Sequence, residues 1–164
     1  MTVFERWAGL WGAVLMLAVF AGMAFWLFSD TDLESRDNRG RTPLIVAAEE
    51  GDAVRVRQLL ERGARIEAQD SCQWTPLMRA ASHGHLPIVR ALLEHGASVN
   101  HQGEIGFSAL MAAAMNGHHD VARVLISHGA DLSFRETETG KTALQLAIMN
   151  DDEAMIELLL DARS

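Results

Sequence analysis

Seven histidines and one cysteine are the side chains of this 164-residue chain best suited to metal binding or nucleophilic chemistry. Imidazole binds zinc and copper and shuttles protons, and a thiolate attacks carbonyls and disulfides. The spacing argues against any such centre. His85 and His118 are 33 residues apart, as are His95 and His128, so repetition sets them on separate units rather than around one point. The neighbouring pairs His83/His85 and His118/His119 lack a carboxylate or thiol at ligand spacing. Cys72 stands alone, which excludes an intrachain disulfide and a cysteine-based zinc site. No helix start or fixed base marks it as an activated nucleophile. The chain has no Gly-rich phosphate loop, no His-Glu-x-x-His and no Gly-x-Ser-x-Gly. The expectation is therefore no metal, no cofactor and no catalytic residue.

Charge narrows the partners. The formal charge is −8, and the first 28 residues hold only Glu5 and Arg6, so the whole −8 lies beyond them. An acidic domain offers no electrostatic footprint to phosphate backbones, which argues against nucleic acid.

The elements that position these side chains are set by a fixed period. Thr42-Pro43-Leu44 returns as Thr75-Pro76-Leu77, Ser108-Ala109-Leu110 and Thr142-Ala143-Leu144, in steps of 33, 33 and 34. Ala47-Ala48 returns as Ala80-Ala81, Ala113-Ala114 and Ala147-Ile148. Gly51 returns as Gly84 and Gly117, with Asp151 in the fourth copy. Leu59-Leu60 returns as Leu92-Leu93, Leu125-Ile126 and Leu159-Leu160, and Gly63-Ala64 as Gly96-Ala97 and Gly129-Ala130. Thr before Pro is an N-cap with an N1 proline and starts a short helix. The Ala pairs let that helix pack closely, and the glycine ends it. A second helix follows, with Val54, Leu59 and Leu60 on its apolar stripe. Neither helix buries its apolar face alone, so the copies must stack.

This helix–turn–helix unit resembles the ankyrin repeat, over about residues 37–164. The resemblance implies an all-α solenoid of four repeats, about 37–69, 70–102, 103–136 and 137–164, joined by hairpin turns. The family's Thr-Pro-Leu-His lacks its His in every copy, where Ile45, Met78, Met111 and Gln145 stand. The fourth copy lacks Gly-Ala and is acidic, as a solvated end cap would be. The extra residue of the third connection lies between Ser133 and Gly140.

The resemblance also implies a binding surface formed by the hairpin tips and the exposed side of the first helices. Arg41, Trp74, Phe107 and Lys141 precede the helix starts. Trp74 and Phe107 are either hot-spot aromatics or packing for the next turn. The first helices add Arg79, His83, Met115, Asn116 and Met149. Met115 and Met149 should face outward, whereas Met78 and Met111 should fill the space of the missing His. Protein partners are expected; a ligand or oxidative-stress role for the histidines and methionines is the reading from another class.

Trp7 to Phe28 is a run of 22 residues without a charge. At ~1.5 Å per residue such a helix covers about 33 Å, matching a bilayer's hydrocarbon core. Trp7, Trp11 and Trp26 sit near its ends, where indoles favour headgroups. The expected organisation is a tail 1–6, a single transmembrane helix 7–28 acting as signal anchor, a linker 29–36 and the repeats 37–164. A cleaved signal peptide is the rival, but the run exceeds the usual h-region of ~7–15 residues. Arg36, Arg39 and Arg41 would hold the repeats inside the cell. The acidic flank at Asp30, Asp32 and Glu34, with a six-residue tail, favours an extracytoplasmic, periplasmic placement instead. The reading is a membrane-anchored scaffold, with an accessory subunit contacted through the membrane helix as the alternative.

Overall fold

The computed structural model describes residues 32–163. The expected tail 1–6, the Trp7–Phe28 helix and the start of the linker lie outside the described residues. Among the described residues no helix is long and apolar enough to cross a membrane.

The periodic caps set the architecture. Thr42, Thr75, Ser108 and Thr142 accept hydrogen bonds from the backbone N–H of Ile45, Met78, Met111 and Gln145, starting the first helix of each repeat. These helices are α1 (Pro43–Glu50), α3 (Pro76–Ser82), α5 (Ala109–Met115) and α7 (Ala143–Met149). Each is followed by a second helix: α2 (Ala53–Glu61), α4 (Leu86–Glu94), α6 (His119–Ser127) and α8 (Glu153–Asp161). These eight helices and no strand are found among the described residues, in line with the expected all-α stack. Where the family's His is missing, Met78 and Met111 fill the space and are 1% exposed. In the fourth copy Gln145 closes a capping box, its Oε1 accepting from Thr142 N at 2.9 Å.

Alanines decide how closely the repeats approach. Ala47, Ala48, Ala80, Ala81, Ala113, Ala114 and Ala147 are fully buried where successive first helices meet. Successive second helices touch less, so the stack curves with the first helices on its concave side. Leu59, Leu92, Leu125 and Leu159 hold the second helices down, each 5% exposed or less. Each contributes about 1.5–3 kcal/mol of burial.

Polar links join neighbouring repeats. The ring of His85 donates from Nε2 to Glu49 O, and that of His118 to Ser82 O, both at 3.0 Å. The third carbonyl of this register, Met115 O, is met from a different position: Asn150 Nδ2 donates to it at 2.6 Å. Each repeat thereby caps the last carbonyls of the first helix before it. Gly51 and Gly84, at φ +83° and +71°, lie under those rings; a Cβ there would come within 2.8 Å of His85 and 2.6 Å of His118. The fourth copy has Asp151 at φ +53° in this register.

The hairpin turns form a second line of contact. Ser71 N donates to Arg39 O, Glu104 N to Cys72 O, and Thr137 N to Ile105 O, at 3.1, 3.2 and 2.9 Å. Asp37 and Asp70 hold their turns by accepting from the N–H groups of Arg39 and Arg41, and of Cys72 and Trp74. The fourth turn is one residue longer: Glu136 N reaches Lys141 O, where Asp37 N reaches Arg41 O. A glutamate, one methylene longer than aspartate, spans it and accepts from the N–H groups of Glu138, Thr139 and Lys141. The insertion expected between Ser133 and Gly140 is this lengthened turn.

Candidate protein-binding surface

In repeats one and two the concave face is a chain of ion pairs. Asp37 meets Arg41 at 2.7 Å, Arg41 meets Glu49 at 2.9 Å, and Arg39 meets Glu49 at 3.3 Å. Arg79 continues the chain, 3.9 Å from Glu49 and with its Nε 2.8 Å from the buried Asp70 carboxylate. The Arg41 hydrogen bond lowers Asp37 to about 2. Burial pushes Glu49 up, but the Arg41 hydrogen bond and the charges of Arg79, Arg41 and Arg39 outweigh it and hold it below its ordinary value. Arg41 is raised in turn by Asp37 and Glu49.

The chain ends on an aromatic stack. The Arg79 guanidinium lies 4.7 Å from the centre of the Trp74 ring, in cation–π range. Trp74 stacks on Phe107 with centroids 6.0 Å apart and planes 8° from parallel. Gly103 leaves room for it, since a Cβ there would come within 2.9 Å of Trp74 Cδ1. Of the two roles open to Phe107 from sequence, the structure assigns packing. At 6% exposure it is buried, which corrects its place among the outward contacts. Trp74 is half-buried between Arg79 and Phe107, and the Arg79 side chain is 13% exposed and already paired. Arg41 is likewise committed to Asp37 and Glu49.

In repeats three and four the same registers are apolar. The position of Glu49 and Ser82 is held by Met115 and Met149, 42% and 60% exposed. The position of Val46 and Arg79 is held by the buried Ala112 and Leu146. Both methionines face outward, as their register implied. His83 and Asn116 are also exposed, and Lys141 is half-buried. Asn116 Nδ2 donates to Ala112 O at 2.9 Å and to Ser82 Oγ at 3.3 Å, so its amide is partly engaged within the stack.

Two exposed side chains were not among the residues singled out from sequence. Ile148, 51% exposed, occupies the register of the buried Ala48, Ala81 and Ala114. The break in the Ala pair at Ala147-Ile148 was its signal. Ile105, 39% exposed, sits at the third hairpin tip and carried no periodic signal.

The histidines are tied into the scaffold. Six of the seven bond to backbone carbonyls: His83 to Arg79, His85 to Glu49, His95 to Ala91, His101 to Gln73, His118 to Ser82 and His128 to Val124. His119 Nε2 meets Asp152 Oδ1 at 2.8 Å, and that hydrogen bond holds Asp152 below its ordinary value. Among the described residues no three His, Cys, Asp or Glu side chains cluster as metal ligands would. Cys72 is free and exposed on the second hairpin.

A family profile described as ankyrin repeats (3 copies) matches residues 15–103 and 101–164. No curated protein matches the chain. The match covers most of the sequence, and the stacked helix pairs with their hairpin turns agree with it, so the chain belongs to the ankyrin-repeat family.

Proposed function

We propose that this protein is a membrane-tethered interaction module that holds a partner protein on the concave side of its repeats. The observation that carries this reading is the exposed pair Met115 and Met149 on the first helices of repeats three and four. Unbranched, polarisable thioethers suit an irregular protein surface. In the first two repeats that register is polar, and Glu49 there is engaged within the fold. Ankyrin repeats support a protein-interaction scaffold and leave the partner open. No catalytic role is proposed.

A photo-reactive amino acid at position 149, in cells, tests the face. An adduct from 149, with none from position 123 on the second helix of repeat three, supports concave-face binding. Equal adducts from both positions, or none from 149, refute it.

The tether and its orientation belong to the same proposal. Trp7–Phe28 is assigned as a single span, with the repeats on the extracytoplasmic side. Resistance of the full chain to alkaline carbonate extraction tests the span. Cys72 is exposed and unpaired, so it reports the side. An impermeant thiol reagent should label it in intact cells; labelling only after permeabilisation would put the repeats inside. Exchanging Trp7–Phe28 for an unrelated spanning helix should leave the partner bound. Loss of the partner would favour an accessory subunit contacted through that helix.

A further inference from the structure

Charge is divided unevenly between the two halves of the stack. Repeats one and two set eight acids against eight bases; repeats three and four set ten acids against four bases. Most of those ten acids lie on or beside the second helices, but the apolar half of the concave face is bordered by exposed acids of its own. Its acids stand on both sides of the methionines. Glu104 and Glu138 are exposed on the hairpins that precede α5 and α7, and Asp151 is exposed just beyond the end of α7. Met115 and Met149 are the last residues of α5 and α7, which pack side by side. Packed helix axes lie about 8–10 Å apart. A helix rises ~1.5 Å per residue, so side chains seven residues apart are separated by about 10.5 Å along one face. A ligand helix running along the stack would therefore set apolar residues at i and i+7 over the two methionines. Basic residues on its flanks would meet the acids to either side. Arg135 and Lys141 offset part of this charge on the hairpin edge, so an acidic ligand would meet like charge chiefly at the other edge, where Asp152 and Glu153 adjoin Asp151.

We propose that the partner segment held by repeats three and four is a cationic amphipathic helix, its apolar residues on Met115 and Met149 and its Lys and Arg side chains toward Glu104, Glu138 and Asp151. This rests on the concave-face reading above. It adds the chemistry of the partner, with apolar anchors for affinity and charge for orientation and on-rate.

The test uses the full chain in zwitterionic lipid nanodiscs, with empty discs as the reference, and three labelled synthetic helices. One carries leucines at i, i+3, i+4 and i+7 with Lys and Arg elsewhere. The second exchanges Lys and Arg for Glu. The third scrambles the first, keeping its charge and destroying its apolar face. The first should bind at least ten times more tightly than the other two. Met115→Lys with Met149→Lys should weaken it at least tenfold, with the helical circular dichroism unchanged. Glu104→Gln, Glu138→Gln and Asp151→Asn together should weaken it and flatten its salt dependence. Equal binding of the scrambled peptide, or indifference to the methionine variant, would overturn the proposal, leaving only general charge attraction. Failure of the cationic helix to bind, while the photo-reactive residue at 149 still traps a protein in cells, would overturn the cationic-helix assignment and leave concave-face binding standing. Failure of both would overturn both.

Discussion

Glu49 and Met149 occupy the same register on one repeating backbone, three repeats apart. Glu49 accepts from Arg41 and is flanked by Arg39 and Arg79. Met149 is 60% exposed and ends its helix in solvent. In the first half of the concave face the polar groups satisfy one another and knit turn to helix and repeat to repeat. In the second half the same positions carry side chains that do little for the fold. A repeat scaffold frees a surface for binding by moving its structural interactions elsewhere. In repeats three and four the buried Ala112 and Leu146 take the register of Val46 and Arg79, and the His119–Asp152 pair supplies a polar link on the second helices instead.

That contrast can be broken by removing its central cation. Arg79→Ala leaves the buried Asp70 carboxylate without its guanidinium and uncovers Trp74. Loss of one partner of a buried pair costs about 3 kcal/mol or more. Urea denaturation followed by helical circular dichroism should show it, and a loss below about 1 kcal/mol would mean that the ion pairs are incidental. A second comparison uses one register twice. Ala114→Ile forces a large side chain into a fully closed site and should cost about 1–3 kcal/mol. Ile148→Ala, at the same register in the open fourth repeat, should stay within about 0.5 kcal/mol. Equal effects at the two sites would show that the fourth repeat is covered as the others are.

The two most strongly depressed carboxylates hold turns, so acid should weaken the stack largely through them. Asp37 is held at about 2 by Arg41, and Glu136 at about 2 by Thr139 and backbone N–H groups. Carboxylates depressed in the folded state contribute stability above their unfolded values of 3.8 and 4.5, and lose it as the pH falls toward 2. The melting temperature should drop across that window, and Asp37→Asn with Glu136→Gln should flatten the drop. The third turn has Gly103 in that register and has no such share. The smallest expected effect separates binding from folding. Met115→Gln with Met149→Gln should shift stability by less than about 0.5 kcal/mol while weakening capture of the partner.

Most of the stack was legible because it is periodic. The caps at Thr42, Thr75, Ser108 and Thr142, the Ala contacts and the αL turns each recur, and a recurrence of 33 residues identifies a stacked unit. The outward methionines followed from the same register. What escaped were contacts between unlike copies. The chain from Asp37 through Arg41, Glu49 and Arg79 to Asp70 crosses two repeats; Asp37 and Asp70 share a register, but the bases Arg41 and Arg79 that pair with them do not. Phe107 was legible as an aromatic beside a helix start. Its burial depends on Trp74 lying over Gly103, a fact of three dimensions that no spacing encodes.

The capping by His85, His118 and Asn150 runs one way along the chain, each side chain reaching back to the preceding repeat. During synthesis the N-terminal repeat leaves the ribosome first, yet its first helix is completed only by a residue 36 positions later. At about 5–20 residues per second that wait lasts roughly 2–7 s for each repeat. A nascent chain therefore always carries one unfinished helix at its growing end, and ribosome-stalled chains whose emerged part ends just before or just after residue 118 should show the second repeat become protease-resistant only when residue 118 has left the exit tunnel.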